Sequence, residues 1–289
     1  MKKAVILAMN AILLLSGCKE NVDKLALKHL DNAKEAFSIG NYNLAKQEID
    51  SIRILYPKAF ETRKQGIKLM QKVEEAEQLR AIEYQDSMIA VAQAAFERIK
   101  ADYAFQKDEQ YQDIGLYTIK SQAPTRNTDR TYIRAQVDEL GRMTLISCYR
   151  GSSYIHHDWL KLSVGELYVD TPESSDRHEF KDLDVCYEWL SFINGNDGGA
   201  SAFISANKDE NITYTLYRKT GPDSSRPVYR NLKLNKDDRY AIAKLYDLSI
   251  VLQTLNEHKN ARQEAQRHLE FIRSKVKEES AQDAVDKDE

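Results

Sequence analysis

The sequence lacks any marked excess of one charge. Its 289 residues carry 42 lysines and arginines against 45 aspartates and glutamates, and its mean hydropathy is −0.60. A chain with this balance has no electrostatic reason to bind the phosphate backbone of a nucleic acid. We therefore expect no nucleic-acid partner.

The chain also has few glycines, and the catalytic motifs that depend on them are missing. Its 11 glycines form neither the GxSxG turn of a serine hydrolase nor a phosphate-cradling loop. NGNDGG, residues 194–199, is rich in side-chain oxygens but lacks the alternating acids and closing glutamate of a calcium loop. This stretch is predicted to be a flexible loop, and we predict no catalytic residue and no cofactor.

Metal-ligating side chains occur together in one part of the sequence, but in no known spacing. The residues concerned are His156, His157, Glu173, Asp176, His178 and Glu179. Adjacent histidines on a strand point to opposite faces, so only one of the first pair could join a given site. We predict no metal site. A catalytic pair of Cys148 and His156 is also disfavoured, because apolar neighbours raise the pKa of a thiol.

Cysteine is scarce, with three residues in the whole chain. Cys148 and Cys186 stand in LISCYR and DVCYEW, among apolar neighbours. In an exported protein they could form a disulfide, and as buried side chains they could equally stay reduced. The sequence leaves both alternatives open and favours the reduced pair, because it does not show that the two Cα atoms are within bonding distance.

Long apolar runs are absent apart from the one between Ala4 and Leu15, which follows Lys2 and Lys3. This run is too short for a permanent membrane span, which needs about 20 residues, and is typical of a secretory signal. It ends in LSGC at Cys18, which resembles the lipobox of bacterial lipoproteins. The resemblance implies cleavage before Cys18, a diacylglycerol on its sulfur, and a protein anchored to the cell envelope, at the outer membrane, with its face unresolved.

A helical hairpin is predicted between Leu25 and Pro57, where apolar residues recur three and four apart on both sides of a break at 39–41. The pattern resembles one tetratricopeptide repeat in its small, turn, aromatic, bulky and proline positions, which are Ala33, Gly40, Tyr42, Ala45, Ile49 and Pro57. No second copy follows. Because a peptide-binding groove normally needs at least three repeats, we expect a hairpin packed on a neighbour.

Proline is missing between Pro57 and Pro124, and the apolar positions there predict one long helix. Its predicted stripe is Val73, Ala76, Tyr84, Met88, Val91, Ala95, Ile99 and Tyr103. A second helix is predicted to begin at an N-cap, Asn235, with the stripe Ile242, Leu245, Leu248, Leu252, Leu255, Ala261, Ala265, Leu269 and Ile272. Two helices of similar length on either side of an insertion indicate an antiparallel helical stalk.

The inserted segment, 114–234, is predicted to be an antiparallel β domain, which makes the fold class α+β. Its patterns indicate strand pairs around 139–141, around Gly165 and, in SAFISANKDENITYTLY, around 209–211. The stretch 179–193 reads as either strand or helix. The predicted organisation is a signal peptide 1–17, an anchor and hairpin 18–57, stalk helices 58–113 and 235–278, the β domain 114–234 between them, and a disordered tail 279–289.

Aromatic residues are frequent in the β domain, and three of them flank the turn 151–153. Tyr149, Tyr154 and Trp159 are the predicted ligand-binding residues, since rigid rings offer a large contact area at low entropic cost. A glycan or another envelope protein is the expected partner, together with the membrane. We expect a non-catalytic binding or scaffolding lipoprotein. The alternatives are an envelope hydrolase with its site in the β domain and an assembly factor that binds through its helices.

Overall fold

The computed structural model describes residues 22–218 and 228–285, and the protein is α+β. Its contacts divide into two units. In the described residues, the helical unit comprises 22–87 and 260–285, and the sheet unit comprises 88–218 and 228–259. The predicted signal peptide and Cys18 lie outside the described residues. Within the described ranges, no helix carries an apolar stretch of the length that a bilayer crossing requires.

The predicted hairpin is present in the helical unit as α1, 22–38, and α2, Tyr42–Leu55. Gly40 adopts a positive φ of 74°, which suits a residue without a Cβ, and Asn41 caps α2 by accepting a hydrogen bond from the amide of Leu44. Ala33 and Ala45 are fully buried. Small side chains at these two positions therefore let the helices approach closely, as the sequence pattern predicts.

Two long helices have the predicted antiparallel arrangement in the helical unit. They are α3, Phe60–Ile99, and α5, Lys236–Val285. In the helical unit Arg273 pairs with Glu75 at 2.8 Å and Arg262 with Asp86 at 2.6 Å. In the sheet unit Lys244 pairs with Asp102 at 2.9 Å. Such exposed pairs contribute little free energy each. In the helical unit, the later residue of α3 pairs with the earlier residue of α5, so the two helices run antiparallel there.

The helix boundaries and one apolar stripe differ from the sequence-based expectation. α3 ends at Ile99 and not near 113, and α5 continues through 279–285, so the predicted disordered tail is wrong over these residues. Eight of the nine predicted stripe positions of α5 are buried, and the ninth, Ala261, is half-buried. On α3, Tyr84 and Val91 are exposed, whereas Ala92 is buried. One residue turns a helix by about 100°, so a stripe assigned one position early faces water.

In the part of the sheet unit that the structure describes, ten strands form two antiparallel sheets. In chain order they are β1 Ala104–Gln106, β2 Leu116–Thr118, β3 Tyr132–Asp138, β4 Met143–Gly151, β5 Trp159–Val164, β6 Leu167–Asp170, β7 Arg177–Asp182, β8 Val185–Phe192, β9 Thr213–Tyr217 and β10 Val228–Lys233. The larger sheet has the order β1-β2-β3-β4-β8-β7 and the smaller has β10-β9-β5-β6. The first strand thus precedes the predicted start of the β domain at 114.

Two of the three predicted strand pairs are confirmed, and the third is wrong. β3 pairs with β4 and β5 with β6, as predicted. The SAFISA stretch is instead a helix, α4, Ala200–Ala206, and β9 pairs with β5 and β10. NGNDGG leads into α4, where the buried Asp197 carboxylate accepts hydrogen bonds from the amides of Gly199 and Ser201. The ambiguous stretch 179–193 forms most of the β7–β8 hairpin.

The main core lies among the inner faces of the two sheets, α4 and the first half of α5. It includes Ile133, Leu145 and Leu190 from the larger sheet, Leu160, Leu162 and Leu216 from the smaller, Ile204 from α4, and Leu245, Leu248 and Leu252 from α5. The alternation of strand side chains sends every second residue of the larger sheet to its outer face. This outer face is therefore a separate surface, and it carries its own small cluster of Tyr132, Ile146 and Cys148 against Trp189.

Candidate functional site

A polar network lies inside the sheet unit, on the inner face of the larger sheet. Ser147 of β4 and Glu188 of β8 occupy positions where the alternation places core residues, and His157 lies in the segment between β4 and β5. The His157 Nε2 atom is 2.9 Å from the Ser147 hydroxyl, and Nδ1 is 2.7 Å from a Glu188 carboxylate oxygen. All three side chains are fully buried.

The Glu188 carboxylate also binds the backbone of the segment that crosses from one sheet to the other. One oxygen accepts hydrogen bonds from the amides of Ile155 and His156, and the other accepts from the amide and ring of His157. Burial by itself raises the pKa of Glu188, but the bonds from His157, His156 and Ile155 outweigh it and leave the pKa below its ordinary value. Glu188 is therefore an ionised acceptor that fixes three consecutive residues.

The order of groups in this network is that of a nucleophile, a base and an orienting carboxylate. Because the ionised carboxylate can only accept, His157 carries a hydrogen on Nδ1, and its Nε2 atom is within hydrogen-bonding distance of the Ser147 hydroxyl. Serine hydrolases use the same succession of contacts. Ser147, however, lies in the middle of β4 with no exposed surface. A substrate carbonyl has no access to the Ser147 oxygen. The buried hydrogen bonds instead connect β4 and β8 to the segment that contains His157.

A serine-directed fluorophosphonate probe is expected to leave the folded protein unlabelled, because the Ser147 hydroxyl is enclosed. Mass spectrometry of the probe-treated protein measures the adduct, and a serine hydrolase treated in parallel shows that the probe is reactive. An adduct at Ser147 that disappears in His157→Ala while the variant remains folded would contradict this prediction and support the hydrolase alternative.

One group of side chains in the described residues has the spacing of metal ligands, namely His156, Glu179 and Glu188. Their ligand atoms lie within 4.8 Å of one another. His156 adopts a φ of 52°, uncommon for a residue with a side chain, and its Nδ1 atom lies 2.8 Å from Glu179 Oε1. The four hydrogen bonds already made by Glu188 occupy about all the lone pairs that a carboxylate offers. A cation would have to displace backbone donors to bind there.

Purified protein is accordingly expected to contain no stoichiometric zinc, because the Glu188 carboxylate already accepts hydrogen bonds from three backbone amides. Elemental analysis after dialysis against a zinc-containing buffer, and then against buffer alone, measures the retained metal. A near-equimolar amount of zinc that is lost in His156→Ala or His157→Ala would show the prediction to be wrong.

The three aromatic residues predicted to bind a ligand do not share an open face. Tyr149 and Trp159 are buried, with exposed fractions of 3% and 6%, and Trp159 stacks on Tyr217 with ring centroids 4.0 Å apart. Tyr154 is half-buried and stacks on the ring of His156. The alternation of β4 turns Tyr149 to the core, so these rings serve packing more than recognition.

Cys148 and Cys186, the two cysteines among the described residues, are both free and buried. Cys148 lies opposite Trp189 and Cys186 opposite Gly151 in the β4–β8 pairing. Residues 148 and 151 differ in parity, so the two side chains lie on opposite faces of the sheet and cannot form a disulfide. Burial raises the pKa of the Cys148 thiol to about 11, although Arg134 opposes the shift. A thiol in this state is a poor nucleophile, which agrees with the sequence-based expectation.

An open groove lies on the outer face of the larger sheet, and we call it the aromatic groove. Its volume is about 530 Å³. Its floor is formed by Tyr132, Cys148, Arg150, Tyr187 and Trp189, one wall by Phe180 and Asp182 of β7, and the other wall by the segment 124–130. Pockets of this size and aromatic character are typical of small-molecule sites.

The rings of the groove are ordered by contacts with one another. Phe180 and Tyr187 are parallel, with centroids 4.9 Å apart, and Trp189 meets Phe180 edge to face at 5.2 Å. All three are half-buried, so part of each ring remains open to solvent. The guanidinium of Arg134 lies 5.5 Å from the Trp189 ring, and that of Arg130 lies 4.5 Å from the Tyr132 ring.

Hydrogen bonds attach the wall 124–130 to the floor and to α5. The carbonyl of Thr128 accepts from Arg150 Nε and from the Tyr187 hydroxyl, both at 3.1 Å. Arg130 donates two hydrogen bonds to the buried carboxylate of Asp238, at 2.6 and 2.8 Å, and a third to Asn127. The wall is therefore held in place before any ligand arrives, which lowers the entropic cost of binding.

Sequence reasoning missed both the network and the groove. Without a GxSxG turn the sequence gives no reason to expect a serine nucleophile, and no motif singles out Ser147 or Glu188. The available signal was a polar residue at an inward position of an alternating strand, as Ser147 is between Leu145 and Tyr149. The groove is lined by residues more than fifty positions apart in the chain, so no local sequence pattern predicts it.

Comparison of the chain with known protein families, with curated proteins and with solved structures finds no match.

Proposed function

We propose that this protein is a non-catalytic lipoprotein of the bacterial cell envelope that is anchored by lipid at Cys18 and binds a ligand in the aromatic groove. The binding role is supported by the groove itself. Its rings Phe180, Tyr187 and Trp189 are half-buried and contact one another, and hydrogen bonds to the Thr128 carbonyl hold its wall in place. The signal-like segment and LSGC support the anchor. The enclosed Ser147 favours binding over hydrolysis.

Labelled palmitate is expected to enter the wild-type protein and not Cys18→Ala, because the cysteine sulfur and the new N-terminus are the acylated groups in the resembled family. Autoradiography of the protein purified from labelled cells measures incorporation. Cys148→Ser is the matched control and should label like the wild type, since Cys148 is buried in the folded protein. Equal label in Cys18→Ala would contradict the anchor.

Binding at the groove can be followed through tryptophan emission. The chain has two tryptophans, and Trp159→Phe leaves Trp189 of the groove as the single reporter. A soluble, protease-treated extract of bacterial envelope should shift the emission of this variant to shorter wavelength, because a ligand excludes water from the indole. The shift should vanish when Phe180→Ala is added. A shift that persists in the double variant would place the ligand elsewhere, and the absence of any shift would count against a groove ligand from the envelope.

A further inference from the structure

We propose that the aromatic groove binds a neutral oligosaccharide through stacking on Phe180, Tyr187 and Trp189. This inference rests on the proposed function and specifies its ligand. A sugar ring presents C–H faces that pack on aromatic rings and hydroxyl groups that both donate and accept hydrogen bonds. The groove offers the complementary set, with half-buried rings on the floor and one wall, a carboxylate in each wall and the Arg150 guanidinium on the floor.

The charges of the groove disfavour strongly charged ligands of either sign. Arg130 is neutralised by its two bonds to Asp238, which leaves Arg150 against Asp129 and Asp182 among the lining residues. Two exposed carboxylates repel a phosphate or sulfate group. Arg150 and the guanidinium over Trp189 disfavour a quaternary ammonium, the usual occupant of an aromatic cage. A neutral ligand rich in hydroxyl groups avoids both penalties.

The side chains around the floor also match hydroxyl recognition better than a protein interface. Asp129 and Asp182 are exposed acceptors in the two walls of the groove, and Arg150, whose Nε is fixed by the Thr128 carbonyl, is a positioned donor. Aspartate is depleted in the cores of protein interfaces, where an unpaired carboxylate would be desolvated. A hydroxyl group can satisfy such a carboxylate with one hydrogen bond, so a glycan is the occupant that the groove favours.

The experiment titrates Trp159→Phe with cellotriose, maltotriose and chitotriose, and separately with trigalacturonic acid, choline and a short aromatic peptide. At least one neutral trisaccharide should shift the Trp189 emission at micromolar to millimolar concentration, and the acid, the cation and the peptide should not. Saturation-transfer NMR on the unmodified chain checks the same ligand without a substitution, because sugar C–H protons close to the aromatic rings receive the transferred signal.

Variants separate stacking from general damage to the fold. Phe180→Ala should weaken the binding of the responding sugar by roughly tenfold or more, which corresponds to about 1.4 kcal/mol. Tyr168→Ala removes an exposed ring of the smaller sheet and should leave the affinity unchanged. Circular dichroism shows whether each variant remains folded. Asp182→Asn should cost a neutral sugar only a few-fold, whereas it would cost a cationic ligand much more.

Each remaining outcome overturns the inference in a recognisable way. A response to the acid, to choline or to the peptide in place of the neutral sugars would show that another chemistry occupies the groove. A response to the envelope extract but to none of the neutral sugars would leave the proposed function standing and reject the oligosaccharide. If neither the extract nor any sugar changed the Trp189 emission or gave a saturation-transfer signal, both the proposed binding function and the oligosaccharide ligand would be rejected.

Discussion

Replacing Glu188 by alanine is expected to lower the free energy of unfolding by roughly 3–5 kcal/mol, because several buried donors lose the charged group that accepts from them. The variant would remove the acceptor of three backbone amides, at Ile155, His156 and His157, and of the His157 ring. Each buried donor that loses its acceptor costs about 1–3 kcal/mol, although relaxation of the segment recovers part of that sum. Urea unfolding followed by circular dichroism measures the change.

Glu179→Ala is the matched control for this variant. Glu179 lies opposite Glu188 in the β7–β8 pairing and accepts from His156, but it is exposed. Its loss should cost at most about 1 kcal/mol, as for other exposed pairs. The loss of unfolding free energy in Glu188→Gln should lie between those of the two alanine variants. The glutamine amide keeps one acceptor oxygen, but its NH2 group faces backbone N–H groups that also donate. Equal unfolding midpoints for Glu188→Ala and Glu179→Ala would show that the buried network does not stabilise the fold.

The same network gives the wild-type protein a defined pH dependence. The pKa of Glu188 is lower in the folded state than its ordinary value of 4.5, so the unfolded chain binds the proton more readily. The stabilisation is therefore fully present above that ordinary value and is lost as the pH falls through the lower, folded value. Wild-type stability should drop more steeply below about pH 4.5 than that of Glu188→Gln, which has no carboxyl group to titrate at this position.

Changing Leu252 and Leu255 together to aspartate is expected to destabilise the protein by several kcal/mol, enough to unfold it. Both side chains are at least 96% buried, and Leu252 belongs to the main core of the sheet unit, next to Leu248. The change removes the apolar contacts and buries carboxylates that have no partner. A thermal melt of the double variant measures the loss, and a melting temperature close to that of the wild type would contradict the packing of α5.

The control for this variant has to avoid two positions that seem suitable from the sequence. Lys244 pairs with Asp102, and the amide of Gln253 donates to the carbonyl of Gly141, so neither is a free surface residue. Ile250 lies on the same helix with 46% of its surface exposed. Ile250→Asp makes a comparable chemical change at a solvent-facing site, and its melting temperature should stay near that of the wild type.

Local sequence patterns predicted the turns and helix caps that depend on contacts between residues a few positions apart. Gly40 and Asn41 mark the hairpin turn, Asn235 caps α5 with its side chain on the amide of Asp238, and 139–141 joins β3 to β4. The error at SAFISA has a physical cause. A short apolar run is compatible with a buried strand and with one side of a short helix. In the structure, the Asp197 carboxylate accepts a hydrogen bond from the amide of Ser201 in the first turn, which favours the helix.

By itself, the sequence determined the α+β class, the hairpin, the two long helices and two of the strand pairs, because periodicity and turn chemistry act over a few residues. It also carries the lipobox-like LSGC on which the envelope proposal depends. Only the tertiary structure decided that Tyr149 is core, that Cys148 and Cys186 face opposite sides, and that Ser147 meets His157. Strand order and register set those contacts, and they bring together residues whose separation in the chain carries no local signal.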